Sequence, residues 1–164
     1  MTAQEIVFVV VAAVGTVGAF RLVTSKNVVH AALYLVVALG MVGAVYLLLA
    51  AEFVAWVQIL IYVGAIVVLL LFSLMLTKAP IGREALDNQQ RGVAALVALA
   101  VFAGLLLLIR DTFPDQRIEV QATNTADIGN SLFRGFVLPF EVVSILLLAA
   151  LVGAVVIARR DGSE

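Results

Sequence analysis

Polar side chains interrupt one long apolar segment of this chain, residues 52–77, which reads EFVAWVQILIYVGAIVVLLLFSLMLT. If the segment is helical, Gln58 and Tyr62 are four residues apart and lie one turn apart on the same face. Ser73 follows Tyr62 by eleven residues, which is about three turns, and returns to that face. Because hydrocarbon offers no hydrogen-bond partner, the pattern predicts that this polar stripe faces a neighbouring helix or a wet cavity.

The stripe has a structural and a mechanistic interpretation. Polar side chains between membrane helices often only join them, and such hydrogen bonds contribute about 0.6 kcal/mol on average. Gly64 follows the stripe closely and would let the backbone approach a neighbour or change its local hydrogen-bond register. A π-bulge is the usual form of such a change and favours functional sites. Spacing by itself favours the structural interpretation and does not establish a π-bulge.

Two carboxylates near predicted helix starts are candidates for handling protons. Glu52 is predicted to lie in a tight turn before the third helix, where its charge suits the helix dipole. The alternative for Glu52 is a partly buried group that carries protons. Glu141 follows Pro139 by two residues and is either an ordinary helix-entry acid or, if the helix begins at Phe136, a deeper group that needs a partner.

The composition excludes several kinds of site. The sequence contains no cysteine and one histidine, His30, so thiolate metal centres and histidine clusters cannot form on this chain. The formal charge of −1 gives no reason to expect nucleic-acid binding. No nucleophile with an adjacent base and no phosphate-binding glycine loop is present. The sequence therefore predicts no catalytic, cofactor-binding or metal-binding centre within this chain.

The elements that must position these residues are membrane helices. The chain is 64% hydrophobic, and about 20 apolar residues are enough to cross a bilayer. The pattern predicts one all-α integral membrane domain, residues 1–164, with a long polar outer loop at 110–135 whose second half forms a short interfacial helix capped by Thr125. The five predicted transmembrane helices are residues 4–23, 27–51, 53–77, 92–109 and 136–158.

Positive charges near the ends of the spans predict the orientation. Seven of the ten lysines and arginines fall on one side of a five-helix topology and three on the other. This distribution places the N-terminus outside and the C-terminus in the cytoplasm. The seven are Arg21, Lys26, Lys78, Arg83, Arg91, Arg159 and Arg160, and the three are Arg110, Arg117 and Arg134.

Two stretches carry a resemblance to a known family. They are HAALYLVVALGMVGAVYLLLAAEFVAWVQILIYVGAIVVLLLFSLML, residues 30–76, and IGNSLFRGFVLPFEVVSILLLAALVGAVVIARR, residues 128–160. Both resemble the J subunit of the bacterial proton-pumping NADH:quinone oxidoreductase, respiratory complex I. The combination of AEF, VQILIYVGAI and PFEVVSILLLAALVGA makes the resemblance specific.

The resemblance implies a subunit of the membrane arm in the bacterial cytoplasmic membrane, next to the subunits that flank the quinone-reducing junction. NADH, FMN, iron–sulfur clusters and quinone are expected on partner subunits. The family carries a π-bulge in the third helix that converts to α-helix during turnover and opens a proton path. That role falls on Gln58, Tyr62, Val63, Gly64, Ala65 and Ile66, and less directly on the carboxylates Glu52 and Glu141.

Two other functions remain compatible with the same residues. One is a subunit of a related cation/proton antiporter or membrane-bound hydrogenase complex. The other is a purely structural scaffold, in which changes at Tyr62 and Gly64 would affect assembly only.

Overall fold

Helices account for every element in the part of the chain that the computed structural model describes, residues 2–77, 90–114 and 124–159. Five of these helices are long and apolar enough to cross a membrane, so the predicted all-helical, five-span fold is confirmed. The helices are α1 (Ala3–Thr24), α2 (Val28–Leu48), α3 (Glu52–Leu76), α4 (Arg91–Thr112), the short α5 (Thr125–Arg134) and α6 (Val137–Ala158). Their ends agree with the predicted spans to within three residues. Lys78, Arg83, Arg117 and Arg160 lie outside the described residues, and the orientation of the termini stays a prediction.

Polar side chains cap the N-termini of three of the helices. A capping box joins the side chain of Thr2 to the backbone of Glu5 and the side chain of Glu5 to the backbone of Thr2. Asn27 caps α2 by accepting hydrogen bonds from the amides of residues 29 and 30. The cap of α5 is Asn124, which accepts from the amide of Ala126. The sequence-based choice of Thr125 as the cap was therefore wrong by one residue, because Thr125 is already inside the helix.

The chain divides into two compact units, Met1–Gln121 and Ala122–Glu164. The first contains α1 to α4 and the second contains α5 and α6. The single domain predicted for residues 1–164 stays a prediction.

Glycines allow α1 and α2 to pack closely. A Cβ built on Gly18 would lie 3.3 Å from Val37 Cγ1, and one on Gly15 would lie 3.1 Å from Met41 Cβ. Near the other end of the pair, Gln4 Nε2 donates a hydrogen bond to the carbonyl of Leu48 at 3.1 Å. Residues early in α1 therefore contact residues late in α2, so the two helices are antiparallel.

The turn between α2 and α3 differs from the prediction. We expected α2 to continue to Ala51, with only Glu52 between the helices. Instead α2 ends at Leu48, and the Ala50 amide donates to the Leu47 carbonyl while the Ala51 amide donates to the Tyr46 carbonyl. These bonds form a Schellman motif, which places Ala50 in the left-handed conformation, with a φ of 55°. The chain has thus reversed before Glu52, which is the first residue of α3.

Helices α4 and α6 bury none of their most hydrophobic 18-residue windows inside this chain. Their apolar side chains are exposed on all sides, as in helices surrounded by lipid or by other membrane helices. The interior of the described chain is correspondingly small, and its buried apolar residues are Ala32, Ala55 and Val67.

Candidate functional site

A π-helical segment occupies the middle of α3, from Gln58 to Ile66. Regular α-helix precedes it from Glu52 to Val57 and follows it from Val67 to Leu76. At its end, the amide of Val67 donates to the carbonyl of Tyr62, five residues back, which is the π-helical pattern. The six residues singled out in the sequence as a possible switch or proton path all lie in this segment: Gln58, Tyr62, Val63, Gly64, Ala65 and Ile66.

The π segment changes which residues of α3 face inward. Counting eleven residues, about three turns, from the fully buried Ala55, an uninterrupted α-helix would bury Ile66. The structure instead buries Val67 completely and leaves Ile66 48% exposed. The register below the π segment is therefore displaced by about one residue, which corresponds to a rotation of roughly 100°.

Gln58 anchors the start of the π segment to α2. Its side chain is buried, and Nε2 donates to the carbonyl of Leu39 at 3.4 Å. Gly43 makes room for this contact, because a Cβ built there would lie 3.2 Å from Ile59 Cγ1 and 3.7 Å from Gln58 Cγ. Sequence analysis found Gln58 as an inward polar group but missed Gly43, whose close approach no spacing rule distinguished from that of other small residues.

Tyr62 does not share a buried face with Gln58. Its side chain is 46% exposed on this chain, and Ser73 is also exposed. The prediction that Gln58 shares one face with Tyr62 and Ser73 was therefore wrong, because hydrogen bonds to the fifth residue remove the alignment that four-residue spacing gives in an α-helix. That Tyr62 and Ser73 face a neighbouring helix or a wet cavity stays a prediction.

Gly64 lies against the backbone of the preceding turn. A Cβ built on Gly64 would lie 3.4 Å from the carbonyl oxygen of Ile59, and no group of another helix lies within 4 Å of it. That distance is an ordinary contact for a single methyl group. Alanine therefore fits at this position, and we expect a branched side chain, which adds a further carbon near the same carbonyl, to fit the π-helical segment less well.

The carboxylates occupy separate places. Glu52 is the first residue of α3 and is exposed, where its charge complements the positive end of the helix dipole. Glu141 belongs to the second unit and is the fifth residue of α6, which begins at Val137. Pro139 lies in the first turn, where proline is tolerated. Of the two interpretations left open for Glu141, the structure supports the deeper position in the helix.

The remaining polar groups form no metal site in the described ranges. Within residues 2–77, 90–114 and 124–159, no three histidine, cysteine, aspartate or glutamate side chains are grouped closely enough to hold an ion. His30, in the first turn of α2, is exposed. Since the whole sequence lacks cysteine, an iron–sulfur cluster has no thiolate ligand on this chain.

These features define a class of protein: a multi-pass helical membrane protein whose distinctive feature is a π-helical segment in a spanning helix. The family follows from comparison with known proteins. The chain belongs to the family described as NADH-ubiquinone/plastoquinone oxidoreductase chain 6, whose model matches residues 18–157. The family membership expected from the quoted motifs is thereby confirmed.

Individual relatives extend this result over nearly the whole chain. The chain is 41% identical to the chloroplastic NAD(P)H-quinone oxidoreductase subunit 6 of Mesostigma viride, over 92% of this chain and 82% of that protein. It is 39% identical to NAD(P)H-quinone oxidoreductase chain 6 of Leptolyngbya boryana, over 96% and 81%. It is also 38% identical to F(420)H(2) dehydrogenase subunit J of Methanosarcina mazei, over 98% and 94%.

Proposed function

We propose that this chain is a membrane-arm subunit of a redox-driven proton pump and couples quinone reduction to proton translocation through a conformational change in α3. The observation that carries the coupling role is the π segment in a chain of this family. The relatives are subunits of quinone oxidoreductases and of an F(420)H(2) dehydrogenase, which supports a place within such an enzyme.

The proposed change is conversion of residues 58–66 between π-helix and α-helix. Conversion to α-helix returns the register by about one residue, so Ile66 takes the inward place of Val67. Gln58 holds the upper part of α3 to α2 through the Leu39 carbonyl, so the rotation falls on the lower part. Tyr62 lies inside the converting segment, and its movement opens or closes a water path for protons.

The redox chemistry belongs to partner subunits in this proposal. The site on this chain offers no ligand set for an iron–sulfur cluster, and NADH, FMN, the clusters and quinone are bound by the other subunits. The partners of this chain are the membrane-arm subunits that flank the quinone-reducing junction. The proposed location is a bacterial cytoplasmic membrane, with the N-terminus outside and the C-terminus in the cytoplasm.

The F(420)H(2) dehydrogenase relative favours a second possibility for the donor. That relative is named as a subunit of an F(420)H(2) dehydrogenase, and not of an NADH-dependent enzyme. On this alternative, the chain performs the same coupling step in an assembly fed by another low-potential carrier. The sequence analysis left one further alternative: the chain is a subunit of a related cation/proton antiporter or membrane-bound hydrogenase complex.

Purification of the intact assembly tests the proposal. The chain is tagged at its C-terminus, the membranes are solubilised gently, and the co-purifying proteins and their quinone reductase activity are measured with NADH as donor. We expect a large assembly whose NADH:quinone activity is blocked by quinone-site inhibitors. Activity with a different donor supports the second possibility, and a chain that purifies alone contradicts the proposal.

A further inference from the structure

Helix α5 has a polar face and a largely apolar face, which Thr125 interrupts in the first turn. At 3.6 residues per turn, each set occupies its own continuous arc of the helix. The apolar arc consists of Ala126, Ile128, Gly129, Leu132 and Phe133, with Thr125 of the first turn among them, and the polar arc of Asp127, Asn130, Ser131 and Arg134. Ile128 and Leu132 are half-buried, while Phe133 is 65% exposed.

The chain bends sharply between α5 and α6. The rings of Phe133 and Phe140 meet edge to face with centroids 5.0 Å apart. In one straight helix, residues seven apart are separated by about 10 Å along the axis, so α6 does not continue the direction of α5. The amides of Gly135 and Phe136 both donate to the Ser131 carbonyl, at 2.9 and 3.0 Å, and close the end of α5.

The bend lies close to the membrane. Helix α6 is apolar enough to span the bilayer and begins at Val137, three residues after Arg134. Three residues cover at most about 11 Å, and the interfacial layer on each side of a bilayer is roughly 5–8 Å thick. The end of α5 is therefore held at the bilayer surface by the covalent chain.

We propose that α5 lies in the bilayer interface, with its apolar face on the acyl chains, and that this lipid contact sets the depth of Glu141 in α6. The apolar arc matches an interfacial helix, and the turn away from the direction of α6 lets the helix lie along the surface. Asp127 and Arg134 carry opposite charges on the polar face, so the contact depends on apolar area and not on anionic lipid.

The absence of cysteine from the sequence makes the test direct. Single cysteines are introduced as Ile128→Cys and Leu132→Cys on the apolar arc and as Asp127→Cys and Asn130→Cys on the polar arc. Each full-length variant is labelled with an environment-sensitive fluorophore in its assembly in lipid vesicles. The cysteine-free parent chain in the same assembly gives the background labelling of other subunits.

We expect nitroxide lipids to quench the apolar-arc labels several-fold more than the polar-arc labels, equally in zwitterionic and anionic vesicles. A water-soluble quencher should show the reverse order. Equal quenching of all four positions by the aqueous reagent contradicts the proposal. Protection of residues 128 and 132 from both reagents also contradicts it, because a protein partner and not lipid would then cover the face.

A second measurement tests the anchoring role. A label at Ser144→Cys, one turn below Glu141, reports the depth of α6. Adding Leu132→Asp removes the lipid contact and should raise the access of the aqueous quencher to this label several-fold, whereas Asn130→Asp on the polar arc should leave it unchanged. If neither change alters the label, α5 does not set the depth of Glu141.

Discussion

Gln58 shows how the environment of one side chain decides its role. It is the buried polar residue of the described chain, and its amide nitrogen has a hydrogen-bond partner in the Leu39 carbonyl. An unpaired amide in hydrocarbon would cost several kcal/mol, so this contact explains why a polar group is tolerated there. The side chain thus acts first as a link between α2 and α3, and through that link as the fixed end of the π segment.

Replacing Gln58 by leucine should weaken this link. Gln58→Leu removes the donor to Leu39 and should lower the free energy of unfolding of the chain by about 0.6 kcal/mol, the average for such a bond in membranes. Denaturation by increasing SDS in mixed micelles measures the change. Ser73→Ala, an exposed position on the same helix, is the control and should show no loss. Equal stability of both variants and the parent would show that the hydrogen bond contributes nothing.

The sequence predicted the surroundings of some residues correctly and of others incorrectly. Polarity within an apolar run was enough to place Gln58 between helices. It was not enough for Tyr62, because its position depends on hydrogen bonds that side-chain spacing does not reveal. Gly43 was missed for a similar reason, since α2 contains several small residues and only the structure shows which one meets Ile59. Gly40, another glycine of α2, would meet nothing within 4 Å if it carried a Cβ.

At the scale of elements, the sequence predicted the five membrane helices well. It predicted the end of α2 and the π-helical segment of α3 poorly. Hydropathy found all five spans because bilayer thickness fixes the length of an apolar run. The end of α2 was misplaced because no glycine or proline marks it, and Ala50 adopts a left-handed conformation that alanine usually avoids. The family resemblance, and not the spacing, gave the reason to expect a π-bulge in α3.

Close packing of α1 on α2 should depend on Gly18. Gly18→Val places methyl groups against Val37 and the backbone of Ala38, which a built Cβ already approaches to 3.3 and 3.5 Å. Overpacking of this kind costs about 1–3 kcal/mol, so the SDS concentration at half-unfolding should fall. Gly40→Val is the matched control, because nothing lies within 4 Å of a Cβ there. A larger loss for Gly40→Val than for Gly18→Val would refute the packing described for this pair.

For the molecule as a whole, the exposed helices indicate contacts with lipid or other subunits, and the charge distribution predicts the orientation in the membrane. The most hydrophobic windows of α4 and α6 contain no residue buried within this chain, which suits a subunit whose remaining faces meet lipid and neighbouring subunits. The seven-to-three division of lysine and arginine predicts the orientation of that subunit. Neither statement depends on the details of the π segment.

Cysteine labelling tests the orientation. Ser25→Cys, between α1 and α2, is predicted to face the cytoplasm, and Phe113→Cys, just after α4, is predicted to face outside. In right-side-out vesicles, a membrane-impermeant maleimide should label position 113 and reach position 25 only after the membrane is opened. The parent chain, which has no cysteine, measures background. Labelling of position 25 alone in closed vesicles would reverse the topology.

In the proposed mechanism, the π segment of α3 couples electron transfer to proton movement. Substitution of Gly64, which lies within that segment, tests this coupling most directly. Gly64→Val adds further carbons near the Ile59 carbonyl, so we expect it to disfavour the π-helical form by about 1–3 kcal/mol, which lowers the ratio of π-helical to α-helical form at least about fivefold. Gly64→Ala fits the available space. Gly104→Val, on the exposed helix α4, is the control for a valine introduced into a spanning helix.

The measurement is the number of protons moved per electron in vesicles that contain the purified assembly, together with the amount of each variant chain assembled. The account predicts that Gly64→Val assembles but loses most of its proton transport, while Gly64→Ala and Gly104→Val retain theirs. Normal coupled transport by an assembled Gly64→Val variant would contradict the account.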